Sequence, residues 1–122
     1  MKVLLVDDNV ALRHQIAEQL FANGFEVEQA DNGLSGLNKA KNSSFDIVVT
    51  DFKMPIIDGV KLSENLINDL NYQAQQILIL TTDTSAQAIF NIEKLKLEWL
   101  AKPVEFEQIL AAIQHADEGA AA

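Results

Sequence analysis

The segment FDIVVTDFKMPIIDG, residues 45–59, joins an apolar strand to a helix through a charged turn. The apolar run at 47–49 predicts a strand that is buried on both faces, as the strands of parallel sheets are. The strand ends in Asp51, and Pro55 keeps the following helix from starting early. Asp58 is a residue type that caps helices. One strand–helix unit is therefore predicted here, and the carboxylate at the end of its strand needs a chemical reason.

The same strand–helix alternation repeats along the whole chain. Leu12, Ile16 and Leu20 recur every four positions, which is typical of an amphipathic helix, and Gly24 is placed to end that helix. Strands are predicted at 3–6, 25–30, 47–50, 76–81 and 98–101, and helices near 12–20, 34–41, 60–70, 88–95 and 104–115. Repeated strand–helix units in a short chain predict an α/β fold of the (βα)5 type, a doubly wound parallel sheet with helices on both faces.

Length, charge and composition exclude several classes of protein. The 122 residues suit one domain, predicted at 1–116, with a disordered tail at 117–122. The net charge of −9 argues against direct binding to nucleic acid, which usually needs a basic stripe. No apolar run approaches the roughly 18 residues of a membrane span. The chain has no cysteine, which fits a reducing compartment, and a cytoplasmic location is expected.

Polar residues follow four of the five predicted strands. In an open parallel sheet, the carboxyl ends of the strands form one edge, where ligands bind. The residues at this edge are Asp7 and Asp8, Asp51, Thr81 and Thr82, and Lys102. Each residue alone is weak support for a site, because Asp caps helices and Thr packs in strands. Their shared edge predicts a functional cluster.

The residue types in this cluster suit phosphoryl chemistry. Crowded carboxylates repel one another unless a cation lies between them, and Mg²⁺ prefers one or two carboxylates together with water. A lysine ammonium and a threonine hydroxyl stabilise charge on phosphoryl oxygens. A carboxylate such as Asp51 can itself act as the nucleophile and become an aspartyl phosphate. The sequence therefore predicts that Asp51 ends its strand in order to point into a Mg²⁺-dependent phosphoryl site.

The chain resembles the receiver domains of two-component response regulators over residues 1 to 116. The resemblance rests on Asp7-Asp8, on TDFKMPIIDG with Asp51 in the phosphoacceptor position, on Thr81 at the end of LILT, and on Lys102-Pro103. It implies a flavodoxin-like sheet with the strand order 2-1-3-4-5. It also implies a phosphorelay role in which a sensor histidine kinase or a histidine phosphotransfer protein phosphorylates the domain. A receiver of this kind is a signalling phosphoacceptor rather than an enzyme.

The resemblance assigns a role to each residue of the cluster. Asp51 accepts the phosphoryl group. Asp8, Asp51 and the main-chain carbonyl of Lys53 bind Mg²⁺, while Asp7 acts through water or orients Lys102. The resemblance makes Lys102 and Thr81 the ligands of the phosphoryl oxygens, and Thr81 and Trp99 the switch residues. The surface of the fourth helix, fifth strand and fifth helix is the implied partner or homodimer face.

Residues at the mouth of the site are expected to set the lifetime of the phosphorylated state. Thr82 is larger than the small residue that the family commonly has there, and Lys53 is long and cationic. A Lys53–Asp83 pair is predicted to cover the approach of water and to slow hydrolysis. The segment IEKLKLEW, residues 92–99, lacks the Gly-Ala turn that is usual before the fifth strand, and Trp99 is bulkier than the usual Tyr or Phe.

Three alternative functions compete with that of a receiver. A degenerate receiver, acting as a phosphorylation-independent interaction module, stays open, although the complete residue set argues against it. A flavin or nucleotide binder needs a Gly-, Ser- or Thr-rich loop after the first strand, whereas VDDNV places negative charge there. An aspartate-nucleophile phosphatase carries a second acid two residues after the nucleophile, where this chain has Lys53.

Overall fold

A computed structural model describes residues 1–121 and shows five strands alternating with five helices. The strands are β1 (Lys2–Val6), β2 (Glu26–Ala30), β3 (Ile47–Asp51), β4 (Ile77–Thr81) and β5 (Glu98–Ala101). The helices are α1 (Val10–Ala22), α2 (Gly33–Asn42), α3 (Gly59–Leu70), α4 (Ala86–Glu93) and α5 (Phe106–Ala121). A short 3-10 turn, Ala74–Gln76, precedes β4. No helix in this part of the chain is long and apolar enough to cross a membrane.

The strands form one parallel sheet in the order β2-β1-β3-β4-β5, which confirms the predicted fold. β1, β3 and β4 are central and almost wholly buried, so they read as continuous apolar runs. β2 lies at one edge, as its alternating sequence predicted, and β5 lies at the other. The carboxyl ends of β1, β3, β4 and β5 therefore meet at the same edge of the sheet.

Each face of the sheet has its own apolar core. Val3, Leu5 and Val49 point toward α1 and α5, where Ile16 and Ile109 cover them. The opposite face carries residues such as Leu4, Val6, Val48 and Ile79, which pack with Leu62 and Leu66 of α3 and Ile92 of α4. Because the helices cover both faces, the carboxyl ends of the strands are where a ligand can reach the sheet.

Local signals explain the helix boundaries. Asp58 accepts a hydrogen bond from the Lys61 main chain and caps α3, as predicted. Ser85 caps α4 and Asn9 caps α1 in the same way. Gly24, with a φ of 90°, follows α1 in the left-handed region, which confirms its predicted role as the residue that ends the helix.

The bounds of α5 differ most from the sequence prediction. α5 begins at Phe106 rather than Val104, and it continues to Ala121. Residues 117–121 of the predicted disordered tail are thus part of this helix, and residue 122 lies outside the described residues. The disorder of the tail stays a prediction. The turn before β5, which lacks Gly-Ala, is made with Lys96 at a φ of 63°.

Candidate functional site

The predicted cluster forms an acidic cleft at the carboxyl edge of the sheet. This cleft is open and has a volume of about 500 Å³. Its lining includes the following residues that the sequence singled out: Asp7, Asp8, Asp51, Lys53, Thr82 and Lys102. Four loops meet there, so residues that are up to 95 positions apart in the chain line one cleft.

Lys102 is the central cation of the acidic cleft. Its Nζ lies 3.0 Å from Asp7 Oδ2 and 3.1 Å from Asp51 Oδ1. The Lys102 side chain is 11% exposed, so these pairs are largely shielded from water. Because the ammonium bridges the two buried carboxylates, it holds Asp51 in place and reduces its repulsion from Asp7.

One carboxylate oxygen from each of Asp7, Asp8 and Asp51 lies within 4.8 Å of the others. This donor set fits a hard divalent cation, which binds oxygen ligands. Asp8 is exposed, and Asn9 rather than Asp8 caps α1, so capping does not occupy the Asp8 carboxylate. Asp7 differs, because its Oδ1 accepts from the Asn9 main chain at 2.9 Å and its Oδ2 accepts from Lys102.

The charges of the cleft shift two pKa values. Burial and then the negative charge of Asp7 raise the pKa of Asp51, and Lys102 lowers it by less. Burial lowers the pKa of Lys102, but its hydrogen bond to Asp7 and the charges of Asp51 and Asp7 outweigh burial, so that this pKa is raised. Lys102 therefore stays protonated at neutral pH and stabilises negative charge in the cleft.

Comparison with known proteins identifies the family. The family model described as "Response regulator receiver domain" matches residues 3–114. The chain belongs to this family. Receiver domains are signalling domains of two-component systems and interact with kinases and phosphotransfer proteins.

Individual relatives extend the comparison. The chain is 32% identical to the chemotaxis protein CheY of Bacillus subtilis, over 92% of this chain and 93% of the relative. The response regulator MprA of a Mycobacterium species is 31% identical over 93% of this chain, which spans only 49% of MprA. Among solved structures, the chemotaxis protein CheY4 of Vibrio cholerae has 33% identity and a TM-score of 0.86, with coverage of 94% of this chain and 97% of that chain.

The two threonines of this receiver domain lie in different environments. Thr81 is fully buried, and its hydroxyl donates to the Asp83 carbonyl and accepts from the Asp83 main-chain N–H, both at 2.9 Å. Thr82 is exposed and lines the acidic cleft. The structure thus brings Thr82 to the cleft and turns the hydroxyl of Thr81 toward the start of the next loop.

The predicted lid over the cleft is not formed. Among the ion pairs of residues 1–121, none joins Lys53 to Asp83. Asp83 Oδ1 instead accepts from the Ser85 main chain at 3.0 Å, an interaction that lowers the Asp83 pKa, and Lys53 contributes less to that shift. The short Asp side chain satisfies the local turn before α4 and forms no ion pair with Lys53.

Trp99, the predicted switch aromatic, is half-buried on β5. Its Nε1 donates to Glu93 Oε2 of α4 at 3.2 Å. The indole ring also packs beside the core that lies under α4. The structure therefore holds the Trp99 ring on the α4 side of β5, and the sequence pattern gave no sign of Glu93 as its partner.

A buried arginine also belongs to the surroundings of the cleft. Arg13 is 9% exposed and lies behind the acidic turn between β1 and α1. The helical spacing could have predicted the burial of Arg13, because Arg13, Ile16 and Leu20 lie on the same face of α1. Its guanidinium donates to groups inside the protein instead of lying in solvent.

Proposed function

We propose that this receiver domain accepts a phosphoryl group on Asp51 from a histidine of a sensor kinase or phosphotransfer protein, and that Mg²⁺ is required. The observation that carries the proposal is the Lys102 ammonium, which contacts Asp51 at 3.1 Å and Asp7 at 3.0 Å beside the Asp8 carboxylate. A lone carboxylate at a strand end has many uses. Asp51 is a buried carboxylate that contacts a lysine ammonium and lies beside two other carboxylates in an open cleft. This arrangement suits phosphoryl transfer.

The proposed chemistry uses the carboxylate of Asp51 as the nucleophile. An Asp51 carboxylate oxygen attacks phosphorus while the phosphorus–nitrogen bond to the donor imidazole breaks. The bonding electrons leave with the imidazole nitrogen, which takes up a proton. Lys102 stabilises the negative charge that the phosphoryl oxygens bring into the cleft.

Asp8 and Asp51, with the carbonyl of Lys53, are the proposed Mg²⁺ ligands, and Asp7 supports them through water and through Lys102. Bound Mg²⁺ supplies positive charge that offsets the charge of the carboxylates and of the phosphoryl oxygens. Thr81 is proposed as the ligand of one phosphoryl oxygen. That role requires its hydroxyl to leave Asp83 and turn toward Asp51.

Phosphorylation is proposed to act as a switch of a protein surface. Movement of Thr81 makes room for Trp99 to turn inward, which changes the surface of α4, β5 and α5. Phe90 of α4 is 62% exposed and supplies an apolar contact for a partner or a second copy on this surface. The output is then a protein contact rather than nucleic-acid binding by this domain. A non-enzymatic role and the cytoplasmic location stay predictions.

The lifetime of the phosphorylated state is proposed to depend on Thr82 and Lys53, which line the cleft. Without the Asp83 pair, these two side chains can hinder water only by their own bulk. Thr82→Ala is therefore expected to speed hydrolysis by up to about tenfold, equivalent to about 1.4 kcal/mol of barrier.

The decisive experiment incubates the protein with Mg²⁺ and acetyl phosphate and follows its mass. One phosphoryl group should be gained, and hydroxylamine should remove it, as expected for an acyl phosphate. Asp51→Asn should gain none. Asp83→Asn, the same replacement at an exposed carboxylate on the same edge, should behave as the wild type.

A phosphoryl group that persists in Asp51→Asn would refute the assignment. Beryllofluoride binding, followed by fluorine NMR, provides a second test that does not depend on the phosphodonor. If the wild type takes neither acetyl phosphate nor beryllofluoride, the alternative of a phosphorylation-independent interaction module replaces this proposal.

A further inference from the structure

Asp7 is held at four points by different parts of the chain. Its main-chain N–H donates to Ala30 of β2 at 3.1 Å, and its carbonyl accepts from Arg13 Nη1 of α1 at 2.8 Å. Its two carboxylate oxygens accept from the Asn9 main chain at 2.9 Å and from Lys102 at 3.0 Å. The direction of the acidic turn, and with it the place of the Asp8 carboxylate, therefore depends on these anchors.

Arg13 is the unexpected anchor. It is the single arginine of the chain, and it is 9% exposed. Its Nη1 donates to the Asp7 carbonyl, and its Nε donates to Gln29 Oε1 at 3.0 Å. Burial of a cation is unfavourable, and these two partners are neutral. Methionine or leucine would fill the same place without that penalty, so apolar packing does not account for an arginine.

The geometry of the two hydrogen bonds suits a guanidinium in particular. Nε and Nη1 are fixed in one plane, and they reach two separate elements, the edge strand β2 through Gln29 and the end of β1 through Asp7. A lysine ammonium at the end of its stem lacks this fixed fork. The Arg13 side chain therefore links the edge strand β2 to the acidic turn from beneath the cleft.

We propose that Arg13, held by Gln29, is a positioning residue for the acidic turn that carries Asp7 and the metal-binding carboxylate of Asp8. It acts through the Asp7 main chain and touches neither the ion nor the phosphoryl group. Partners of this kind orient metal ligands, and their loss typically weakens metal binding by about 10–100-fold. The inference rests on the proposed function for the identity of the ion.

The first measurement needs no metal. In the metal-free protein, amide hydrogen exchange at Asn9 reports the bond from its N–H to Asp7 Oδ1. Arg13→Met keeps the apolar stem and removes the donors, so exchange at Asn9 should become faster while the amides of α3 keep their protection. His14→Met, the same replacement at the exposed neighbouring position of α1, should change neither.

The second measurement is Mg²⁺ binding by titration calorimetry at constant ionic strength. Arg13→Met should raise the Kd for Mg²⁺ about tenfold. Gln29→Ala, which frees Nε but leaves the Asp7 bond, should produce a smaller change in the same direction. Arg13→Lys should recover part of the loss. In excess Mg²⁺ the phosphorylation rate of Arg13→Met should return toward that of the wild type, because the reacting groups are intact.

Unchanged exchange at Asn9 together with unchanged Mg²⁺ affinity in folded Arg13→Met would overturn the proposal, and so would an equal loss in His14→Met. If Arg13→Met does not fold, Gln29→Ala decides by the same two readouts. Failure of the proposed function is separate. Wild-type protein that takes no phosphoryl group, while Arg13→Met still speeds exchange at Asn9 and weakens Mg²⁺ binding, refutes phosphorylation and leaves the positioning role standing.

Discussion

Asp51 is a carboxylate in surroundings that favour its neutral form. Burial, and then the charge of Asp7, raise its pKa above 3.8. The folded protein binds this proton more tightly than the unfolded chain, so stability falls as the pH rises from about 3.8 through the raised pKa. The ion pair with Lys102 limits this loss and does not remove it. The proposed nucleophile is thus maintained at some cost to the stability of the fold.

Asp51→Asn is therefore expected to raise the free energy of unfolding at neutral pH, and the gain should vanish toward the ordinary pKa of 3.8. Denaturant unfolding across this pH range measures it. Asp83→Asn is a control for which the opposite dependence of stability on pH is expected. The pKa of Asp83 is lowered by its hydrogen bonds with Ser85, so its stabilising effect is present above 3.8 and is lost on acidification. A gain in Asp51→Asn that is the same at every pH contradicts the explanation.

Ile56 shows strain of a different kind. Its φ is 75° and its side chain is 79% exposed in the loop between β3 and α3. A β-branched residue in the left-handed region is disfavoured by about 1–2 kcal/mol, whereas asparagine tolerates it. Neither burial nor the turn favours isoleucine at this position.

We expect Ile56→Asn to raise the free energy of unfolding by about 1 kcal/mol, measured by chemical denaturation. Asn71, the C-cap of α3 at a φ of 63°, provides the reverse change. Asn71→Ile should lower stability by a similar amount. If Ile56→Asn is neutral while Asn71→Ile destabilises, contacts of the Ile56 side chain offset its backbone strain.

At the scale of elements, α4 and β5 are linked by one polar contact at the predicted switch. Glu93 Oε2 accepts from Trp99 Nε1 at 3.2 Å, in an exposed position. This bond favours the arrangement in which the ring lies on the α4 side of β5. Any ligand that favours an inward ring must act against it, and its apparent affinity is reduced accordingly.

Glu93→Ala should make Trp99 fluorescence easier to quench with acrylamide and should shift the beryllofluoride response to a few-fold lower concentration. Trp99 is the single tryptophan, so the signal is unambiguous. Glu98→Ala, which removes an exposed carboxylate at the start of β5, is the control and should leave both readouts unchanged. A beryllofluoride midpoint that stays the same in Glu93→Ala would mean that the bond does not oppose the switch.

The whole molecule carries a net charge of −9, and part of that charge is concentrated in the acidic cleft. Added salt screens surface repulsion in general, whereas a bound cation stabilises the folded state by mass action. Screening by salt does not require the cleft residues, whereas stabilisation by a bound cation does. Metal binding should therefore be visible in the stability of the entire domain.

Mg²⁺ is expected to raise the Tm beyond the effect of NaCl at equal ionic strength, with about 2.7 kcal/mol of stabilisation at one hundred times Kd. Asp8→Ala should abolish the specific part and leave the salt effect. Thermal denaturation with both salts measures this. An equal response of wild type and Asp8→Ala would show that Mg²⁺ acts by screening alone.

The sequence by itself determined the (βα)5 alternation, because apolar periodicity reports which faces of an element are buried. It also placed Asp7, Asp8, Asp51 and Lys102 at one edge, since parallel strands all end on the same side of the sheet. The strand order came from the family resemblance and was confirmed by the structure. Local caps such as Asp58 were equally readable, because their partners lie within one helical turn.

Only the tertiary structure decided which groups touch. It turned the Thr81 hydroxyl onto the Asp83 main chain, engaged the Asp83 carboxylate with Ser85 rather than in an ion pair with Lys53, and paired Trp99 with Glu93. It also buried Arg13 between Gln29 and Asp7. Such contacts depend on side-chain directions and on the packing of separate elements, and no periodicity along the chain records them.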